Sequence, residues 1–295
     1  MKYVDFQFHS YYSDGFLSPK GIVGKLAKEN FSVASLTDHN TIAGLEEFGK
    51  MAKKKNIKAI PGVEIYSRFR NQELHLLGYG MDLKNQPLLK FLKESQEKHL
   101  KWFYRTLNRL AKLGFKIDFE APEKSKSKYL GFLELQNILL KYPENKRKIL
   151  KESRSEKIEL FKIINSFFIK GKTSYVKGIH LDISTAEVIK LIKKAGGITV
   201  LAHPGQQLSF KKSALVIKKL KKEGLVGLEA ISGHHNWHQI AFYQKLAEEL
   251  NLAVSAGSDC HGFIVSENGS LKIQTQWDYF KPPYSLYENL KKYLK

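Results

Sequence analysis

Histidine and carboxylate side chains stand at or near the ends of short apolar segments along this 295-residue sequence. The apolar segments have the length and the β-branched or aromatic content of strands. The chemistry-bearing residues are His9, Asp38, His39, Glu64, His75, His203, Asp259 and His261. Burying so many titratable groups in one place is unfavourable unless metal ions compensate their charge. If the strands deliver these residues to one site, the sequence predicts a metal centre.

The spacing around Asp259 and His261 separates ligands from packing residues. Side chains of an extended segment alternate between its two faces, so these two residues share a face and Cys260 occupies the other. Cys260 is the only cysteine, which excludes an internal disulfide and every cysteine-based zinc site. We predict that it is a small buried hydrophobic residue. Mixed histidine and carboxylate ligands suit zinc, manganese or iron, and a carboxylate such as Glu64 can bridge two ions. The pattern predicts a multinuclear hydrolytic site, with more than one divalent metal ion.

Strands and helices alternate at short spacing in two parts of the chain. This alternation predicts an α/β fold in which parallel strands are joined by crossover helices. The predicted strands are Tyr3–His9, Ser32–Thr37, Lys58–Tyr66, Glu73–Tyr79, Gly197–Ala202, Val226–Ile231 and Leu252–Ala256. Seven such units favour a closed or nearly closed barrel, whose functional residues lie at the carboxyl ends of the strands.

A helical and basic region interrupts this alternation. Residues 83–165 show helical spacing of apolar residues without a strand signal, and they hold 20 Lys and Arg against 10 Asp and Glu. We therefore predict a barrel made of residues 1–82 and 166–295, with residues 83–165 as a helical insertion that forms a lid. The net charge of +20 is compatible with binding of nucleic acid. Because only six of the 49 basic residues are arginine, a lysine-rich solvated surface is the alternative.

The sequence contains no apolar run near 18 residues, and its N-terminus lacks the apolar core of a signal peptide. We therefore expect a cytoplasmic protein that has no membrane contact. The identity of any protein partner is left open.

Six ordered motifs resemble those of the PHP (polymerase and histidinol phosphatase) family of metal-dependent phosphoesterases. They are Asp5–Gly15, Leu36–Thr41, Gly62–Ile65, His75–Tyr79, Leu201–Gly205 and Gly257–Gly262. The resemblance is greatest to the branch with a helical insertion after the fourth strand. That branch includes phosphatases of nucleoside 3′,5′-bisphosphates and 5′→3′ exonucleases that act on short oligonucleotides. The resemblance implies a distorted seven-stranded PHP barrel with a helical insertion.

The resemblance also implies three metal positions. The implied ligand sets are Gln7, His9, Glu64 and Asp259 for the first ion, Glu64, His75 and His203 for the second, and Asp14, His39 and His261 for the third. A hydroxide bridging the first two ions, held by Glu64, His203 and Asp259, would attack phosphorus.

Two departures from the family pattern bear on activity and substrate. Gln7 stands where the family has histidine, and an amide oxygen is a weaker ligand than imidazole for late transition metals. A Gly-Arg-Pro-His stretch of related enzymes, whose arginine is expected to bind a substrate phosphate, aligns here with Gly131-Phe132-Leu133-Glu134. The candidate substrate contacts that we predict instead are Arg68, Arg70, Lys177, His234 and His235.

The leading hypothesis is a metal-dependent phosphoesterase that hydrolyses a phosphate ester of a nucleotide or short oligonucleotide. A phosphatase of a small metabolite such as histidinol phosphate is one alternative. Such an enzyme needs no basic insertion, so the lysines of residues 83–165 would then be only a solvated surface. A non-catalytic PHP module that binds nucleic acid or protein is the other, because Gln7 weakens the first metal position.

Overall fold

A computed structural model describes residues 2–124, 130–154, 164–168, 172, 176, 183–267 and 270–294. The chain divides into two units. Met1–Lys93 and Asp182–Lys295 form the first, and Glu94–Leu181 form the second. The predicted insertion, 83–165, overlaps the second unit.

Two sheets form the frame of the first unit. A parallel three-stranded sheet has the order β1 (Tyr3–Asp5), β2 (Phe31–Ala34) and β3 (Lys58–Ala59). A five-stranded sheet runs in the order β4 (Gly62–Phe69), β5 (Gln72–Tyr79), β6 (Ile198–Leu201), β7 (Gly227–Ser232) and β8 (Ala253–Gly257). All seven predicted strands are present, although the segment predicted as Lys58–Tyr66 divides into β3 and β4, which belong to different sheets.

The expectation of uniformly parallel strands is wrong for β5. This strand pairs antiparallel with both β4 and β6. Only Arg70 and Asn71 connect β4 to β5, and so short a connection makes a hairpin, since a parallel crossover needs about a dozen residues or more. Arg70 takes a left-handed conformation there, with φ 56°.

Isolated bridges connect the two sheets at both edges. Phe8 pairs with Cys260 beyond the ends of β1 and β8, and His39 pairs with Glu64 beyond the end of β2. The backbone N–H of His9 donates to the carbonyl of Cys260 at 2.9 Å. The segments that join the sheets are therefore the ones that carry the predicted ligands. The α/β class is confirmed, whereas a barrel of seven strands remains a prediction.

Helices flank these sheets. They are α1 (Pro19–Lys28), α2 (Leu45–Lys54), α7 (Thr185–Lys194), α8 (Pro204–Gln207), α9 (Phe210–Glu223), α10 (Trp237–Glu249) and α11 (Ser285–Lys291). Ser18 caps α1 by accepting from the N–H of Gly21, as serine before a helical proline predicts. Helix α11 and an antiparallel hairpin, β9 (Phe263–Glu267) with β10 (Ser270–Gln274), were not predicted.

The second unit contains most of α3 (Gln86–Lys112), followed by α4 (Ala121–Lys124), α5 (Phe132–Leu140), α6 (Pro143–Ser153) and a π-helical turn, Ile164–Phe168. Its described residues include no strand. It has its own apolar core, in which Phe103, Leu107 and Leu135 are fully buried. Within the insertion, the sequence predicts helices near 133–141 and 156–168 with a charged connection, Glu144–Arg154, between them. Helix α6 occupies that connection, so this part of the prediction is wrong. Predicted helix 156–168 lies largely outside the described residues.

No helix among the described residues is long and apolar enough to cross a membrane.

Candidate functional site

The described residues include three groups of side chains whose ligand atoms lie within 4.8 Å of one another. The groups are His9 with Asp14, His39 and His261; Glu64 with His75 and His203; and His9 with Glu64 and Asp259. They share His9 and Glu64, so they form one continuous site. The structure therefore brings together every charged or imidazole ligand implied by the resemblance.

The strand hairpin β4–β5 positions two of these ligands. Glu64 and Tyr66 lie two residues apart on β4 and so point to the same face. Tyr66 is paired directly with His75 on β5. Because β5 runs antiparallel to its neighbours, its first half reaches the same edge as the carboxyl ends of the parallel strands. His75 therefore enters the site from within a strand.

Glu64 is the central side chain of the site and is fully buried. Its Oε1 lies 2.8 Å from Nδ1 of His75 and 3.3 Å from Nε2 of His203. Its Oε2 lies 3.0 Å from Nε2 of His9. Burial acts to raise the pKa of the Glu64 carboxyl, but His39 and the other histidines outweigh it and hold the pKa well below its usual range. Each oxygen of this carboxylate thus faces a different group of ligands.

Asp14 organises the group on the other side of His9. Its oxygens lie 3.2 Å from Nε2 of His261 and 3.5 Å from Nε2 of His39. The His9 ring stacks between these two, with centroids 4.3 Å from His39 and 4.2 Å from His261. Burial lowers the pKa of His39 to about 4. Burial opposes protonation of His261 as well, but Asp14 raises its pKa to about 9. This group combines one carboxylate with three imidazoles.

Several buried polar atoms of the site have no hydrogen-bond partner. They include Nδ1 of His39, Nδ1 of His203 and Oε1 of Gln7. An unsatisfied buried polar group costs about 1–3 kcal/mol. Imidazole nitrogens and carboxylate oxygens that converge within 4.8 Å of one another fit divalent metal ions, which bind such ligands.

Gln7 lies beside the group of His9, Glu64 and Asp259 and is completely buried. Its Nε2 donates to Oε2 of Glu64 at 2.8 Å and to Oδ1 of Asp259 at 3.2 Å. The amide therefore directs its N–H donors to the two carboxylates. Its role as a weak ligand remains a prediction.

Two ligands occupy left-handed backbone conformations, which cost of order 1–3 kcal/mol in non-glycine residues. His203 has φ 23° and Asp259 has φ 52°. The N–H of His203 donates to Oε2 of Glu229 at 2.8 Å, and the N–H of Asp259 donates to the carbonyl of Gln7 at 2.9 Å. These bonds hold both ligands in place.

Sequence reasoning missed Glu229 and Tyr66. Glu229 is fully buried, and its desolvation raises its pKa well above the usual range. Its signal was a carboxylate inside the apolar strand predicted at Val226–Ile231. Tyr66 stacks on His39 at 4.5 Å and meets His75 edge-on at 4.6 Å. It could have been found from its position two residues after Glu64, because residues two apart on a strand point to the same face.

Of the predicted substrate contacts, His234 lies in the site. Its Nε2 is 2.8 Å from Oδ2 of Asp259, and its side chain is 38% exposed. Both ring nitrogens of His235 form hydrogen bonds with the backbone. Its Nδ1 bonds to the carbonyl of Ala230, and its Nε2 accepts from the N–H of Gly205, each at 2.9 Å. Burial lowers its pKa, which agrees with a neutral ring.

Arg68 is exposed on β4 and shares the face of Glu64 and Tyr66. Arg70 is exposed at the hairpin turn, where its guanidinium lies 5.9 Å from the ring of Phe69. Lys177 lies outside the described residues. The structure thus places one of the two arginines on the face of the site.

Comparison with protein families matches residues 5–194 to the PHP domain. A 5′-3′ exoribonuclease of Haemophilus influenzae is 30% identical over 264 residues, covering 88% of this chain and 90% of that protein. A 3′,5′-nucleoside bisphosphate phosphatase of Chromobacterium violaceum is 26% identical over 273 residues, covering 88% of each chain. The solved structure of an amidohydrolase from Chromobacterium violaceum covers 98% of this chain and 96% of its own with a TM-score of 0.76. At 22% identity this last likeness shows the fold alone.

Proposed function

The chain belongs to the PHP family, and on that basis we propose that it is a metal-dependent phosphoesterase that hydrolyses a phosphate ester of a nucleotide or short oligonucleotide. The observation that carries the proposal is the position of Glu64, whose two oxygens face different ligand groups. A carboxylate in that position can bridge two ions, as a multinuclear hydrolytic site requires. The names of the relatives, an exoribonuclease and a nucleoside bisphosphate phosphatase, support a nucleotide or RNA substrate.

Two or three divalent ions, of manganese, zinc or iron, would bind at the three groups. When bound, such ions neutralise phosphate charge in the transition state and lower the pKa of water. Glu64, His203 and Asp259 would surround the proposed position of the attacking water. The surrounding histidines hold the pKa values of Glu64 and Asp259 well below the usual range, although burial acts to raise them. Both carboxylates therefore stay ionised.

The substrate phosphate would approach from the exposed side of the site. His234 lies there with its Nε2 next to Asp259, so a ring N–H can donate to a phosphate oxygen at the reaction centre. Arg68 is on the same strand face as Glu64 and offers a planar cation for a second phosphate oxygen or a neighbouring phosphate. These two side chains replace the arginine that related enzymes carry in the Gly-Arg-Pro-His stretch.

The direct test removes bound metal with a chelator, reloads the protein with each metal in turn and measures the hydrolysis of a panel of substrates. The panel contains a nucleoside 3′,5′-bisphosphate, a 5′-phosphorylated short RNA and histidinol phosphate. We expect the nucleotide or RNA to be hydrolysed best. Faster hydrolysis of histidinol phosphate would favour the small-metabolite phosphatase. Binding of RNA without turnover of any ester would favour the non-catalytic module.

Variants at two ligands test the site itself. His39→Ala removes an imidazole, and Asp259→Asn removes a charge while keeping a residue that tolerates the left-handed conformation at position 259. Each should lower the rate more than roughly 100-fold, because the electrostatic role of a catalytic metal is worth several kcal/mol. His238→Ala, at an exposed position on α10, is the matched histidine control. Retention of more than about a tenth of the rate in both site variants, with metal content unchanged, would contradict the assignment.

A further inference from the structure

Trp237 is the most exposed large hydrophobic residue among those described, at 84%. The other two tryptophans, Trp102 and Trp277, are 2% and 1% exposed. A buried tryptophan removes about 150–250 Å² from water, and Trp237 contributes almost none of this to folding. Its large aromatic face is therefore available to a ligand.

The segment that carries Trp237 is fixed at the rim of the metal site. It follows β7 and contains His234, which contacts Asp259. Asn236 and Gln239 cap the start of α10 reciprocally, and Trp237 is the first residue of that helix. The side-chain amide of Gln239 also donates to the carbonyl of Gly205, two residues after His203, at 3.0 Å. Capping and this cross-loop bond hold the backbone of Trp237 rigid beside two segments that carry ligands.

A second exposed aromatic ring begins the preceding long helix. Phe210 is the first residue of α9 and is 47% exposed. It packs edge-on against Phe242 of α10, with ring centroids 5.0 Å apart. The helices that follow β6 and β7 thus pack together near their beginnings, and each begins with an exposed aromatic residue. Exposed aromatic rings therefore stand on the helices that follow two strands that lead into the site, whereas the site itself is built of histidines and carboxylates.

We propose that Trp237 is a stacking platform for the nucleobase of the substrate and so determines its preference for nucleotides over other phosphate esters. This inference rests on the proposed function. Histidines, metal ions and Arg68 recognise phosphate oxygens, which every phosphate ester has. An aromatic face adds affinity only for substrates that carry a base, and it accepts any base because each has a π-face. The expected specificity is for nucleotides or RNA without a strong sequence preference.

Tryptophan fluorescence tests the binding step directly, because Trp237 is the one tryptophan accessible to ligand. Adenosine 5′-monophosphate and ribose 5-phosphate carry the same phosphate and differ in the base. We expect the nucleotide to quench the emission of the metal-loaded protein and ribose 5-phosphate to leave it unchanged. Trp237→Phe should remove the quenching. Equal responses to the two ligands, or quenching that persists in the variant, would overturn the proposal.

Kinetics test the consequence for specificity. The substrates are adenosine 3′,5′-bisphosphate and its abasic counterpart, ribose 3,5-bisphosphate. Stacking contributes about 1–3 kcal/mol per base, so Trp237→Leu should lower kcat/KM for the nucleotide roughly 5- to 150-fold. It should change the abasic substrate less than about twofold, and Trp237→Phe should retain most of the preference. Leu215→Ala, at another exposed apolar position that is 60% exposed on α9, is the control.

The two proposals fail in different ways. If no phosphate ester is hydrolysed, the proposed function fails, while base-dependent quenching still decides whether Trp237 stacks on a base. If nucleotides are hydrolysed but Trp237→Leu affects both substrates equally, the stacking proposal fails and the phosphoesterase assignment stands.

Discussion

Replacing Gln7 by histidine should make the protein less stable without metal and restore its stability when zinc is present. The amide Nε2 of Gln7 donates to both Glu64 and Asp259. A neutral imidazole carries one N–H, on one of its two ring nitrogens, and the other nitrogen can only accept. At least one of the two hydrogen bonds is therefore lost in Gln7→His.

The size of the effect follows from the charge of the acceptors. A hydrogen bond to a charged group is worth about 1.5–3 kcal/mol. For a unit as large as the first unit of this protein, 1 kcal/mol shifts the midpoint of thermal unfolding by about 2–4 °C. In the presence of a chelator, Gln7→His should therefore unfold roughly 3–12 °C below the wild-type protein.

Zinc should reverse this loss because it prefers imidazole nitrogen to an amide oxygen. The group of His9, Glu64 and Asp259 then gains a second imidazole. Each tenfold gain in metal affinity adds about 1.4 kcal/mol to the stability at saturating metal. Gln7→Leu is the matched control, since it loses both hydrogen bonds and offers no ligand. It should remain destabilised with zinc and without it.

The assay is thermal unfolding in chelator and in zinc, combined with the metal content of each variant by elemental analysis. We expect Gln7→His to carry more zinc per chain than the wild-type protein. If Gln7→His is as stable as wild type in chelator and binds no additional zinc, then Gln7 neither holds the two carboxylates together nor borders a metal position.

Two further predictions concern features outside the ligand groups. Cys260 is 1% exposed, and burial raises the pKa of its thiol to about 11. A disulfide reagent at mildly alkaline pH should therefore label the native protein slowly and the denatured protein at once. Rapid labelling of the native protein would show that Cys260 is accessible. The basic region 83–165 should raise kcat/KM for a short oligonucleotide more than for p-nitrophenyl phosphate at low salt, and this advantage should disappear by roughly 0.3 M salt, where the Debye length is well under 10 Å. Equal salt dependence of the two substrates would mean that these lysines form only a solvated surface.

The positions of most candidate ligands could be predicted from the sequence because they follow short apolar strands. His9, His39 and Asp259 follow the ends of β1, β2 and β8 within a few residues, and the ends of parallel strands meet at one edge. Cys260 is buried as the alternation predicted, although Asp259 beside it takes the left-handed conformation and not the extended one that the alternation assumes.

The hairpin β4–β5 could not be predicted with the same rule. Its two-residue turn, Arg70-Asn71, lacks the glycine that usually marks such turns, and Arg70 adopts positive φ without that signal. Helix α6 was missed for a different reason. Its buried residues are Asn145 and Ile149. A buried face of two residues among many charged ones gives no clear helical periodicity in the sequence.

The role of Glu229 depends on tertiary structure that no local pattern reveals. A carboxylate in a strand is usually exposed, and only the left-handed turn at His203 brings a backbone N–H to it. The same holds for Tyr66, because its stacking on His39 joins strand β4 to the segment that follows β2, which belongs to the other sheet.

Because Glu64 lies between two ligand groups, it would couple the binding of metal ions at the proposed positions. An ion beside His75 would fix the carboxylate in one orientation, so that a second ion would meet an oxygen that is already placed. Burial opposes protonation of His75, but Glu64 and Glu73 raise its pKa to about 9, so an ion that binds there at neutral pH would displace a proton. A second ion would share a negative charge that the first had partly neutralised. Preorganisation and charge sharing thus act in opposite directions, and linkage requires that each ion change the affinity of the other by the same factor.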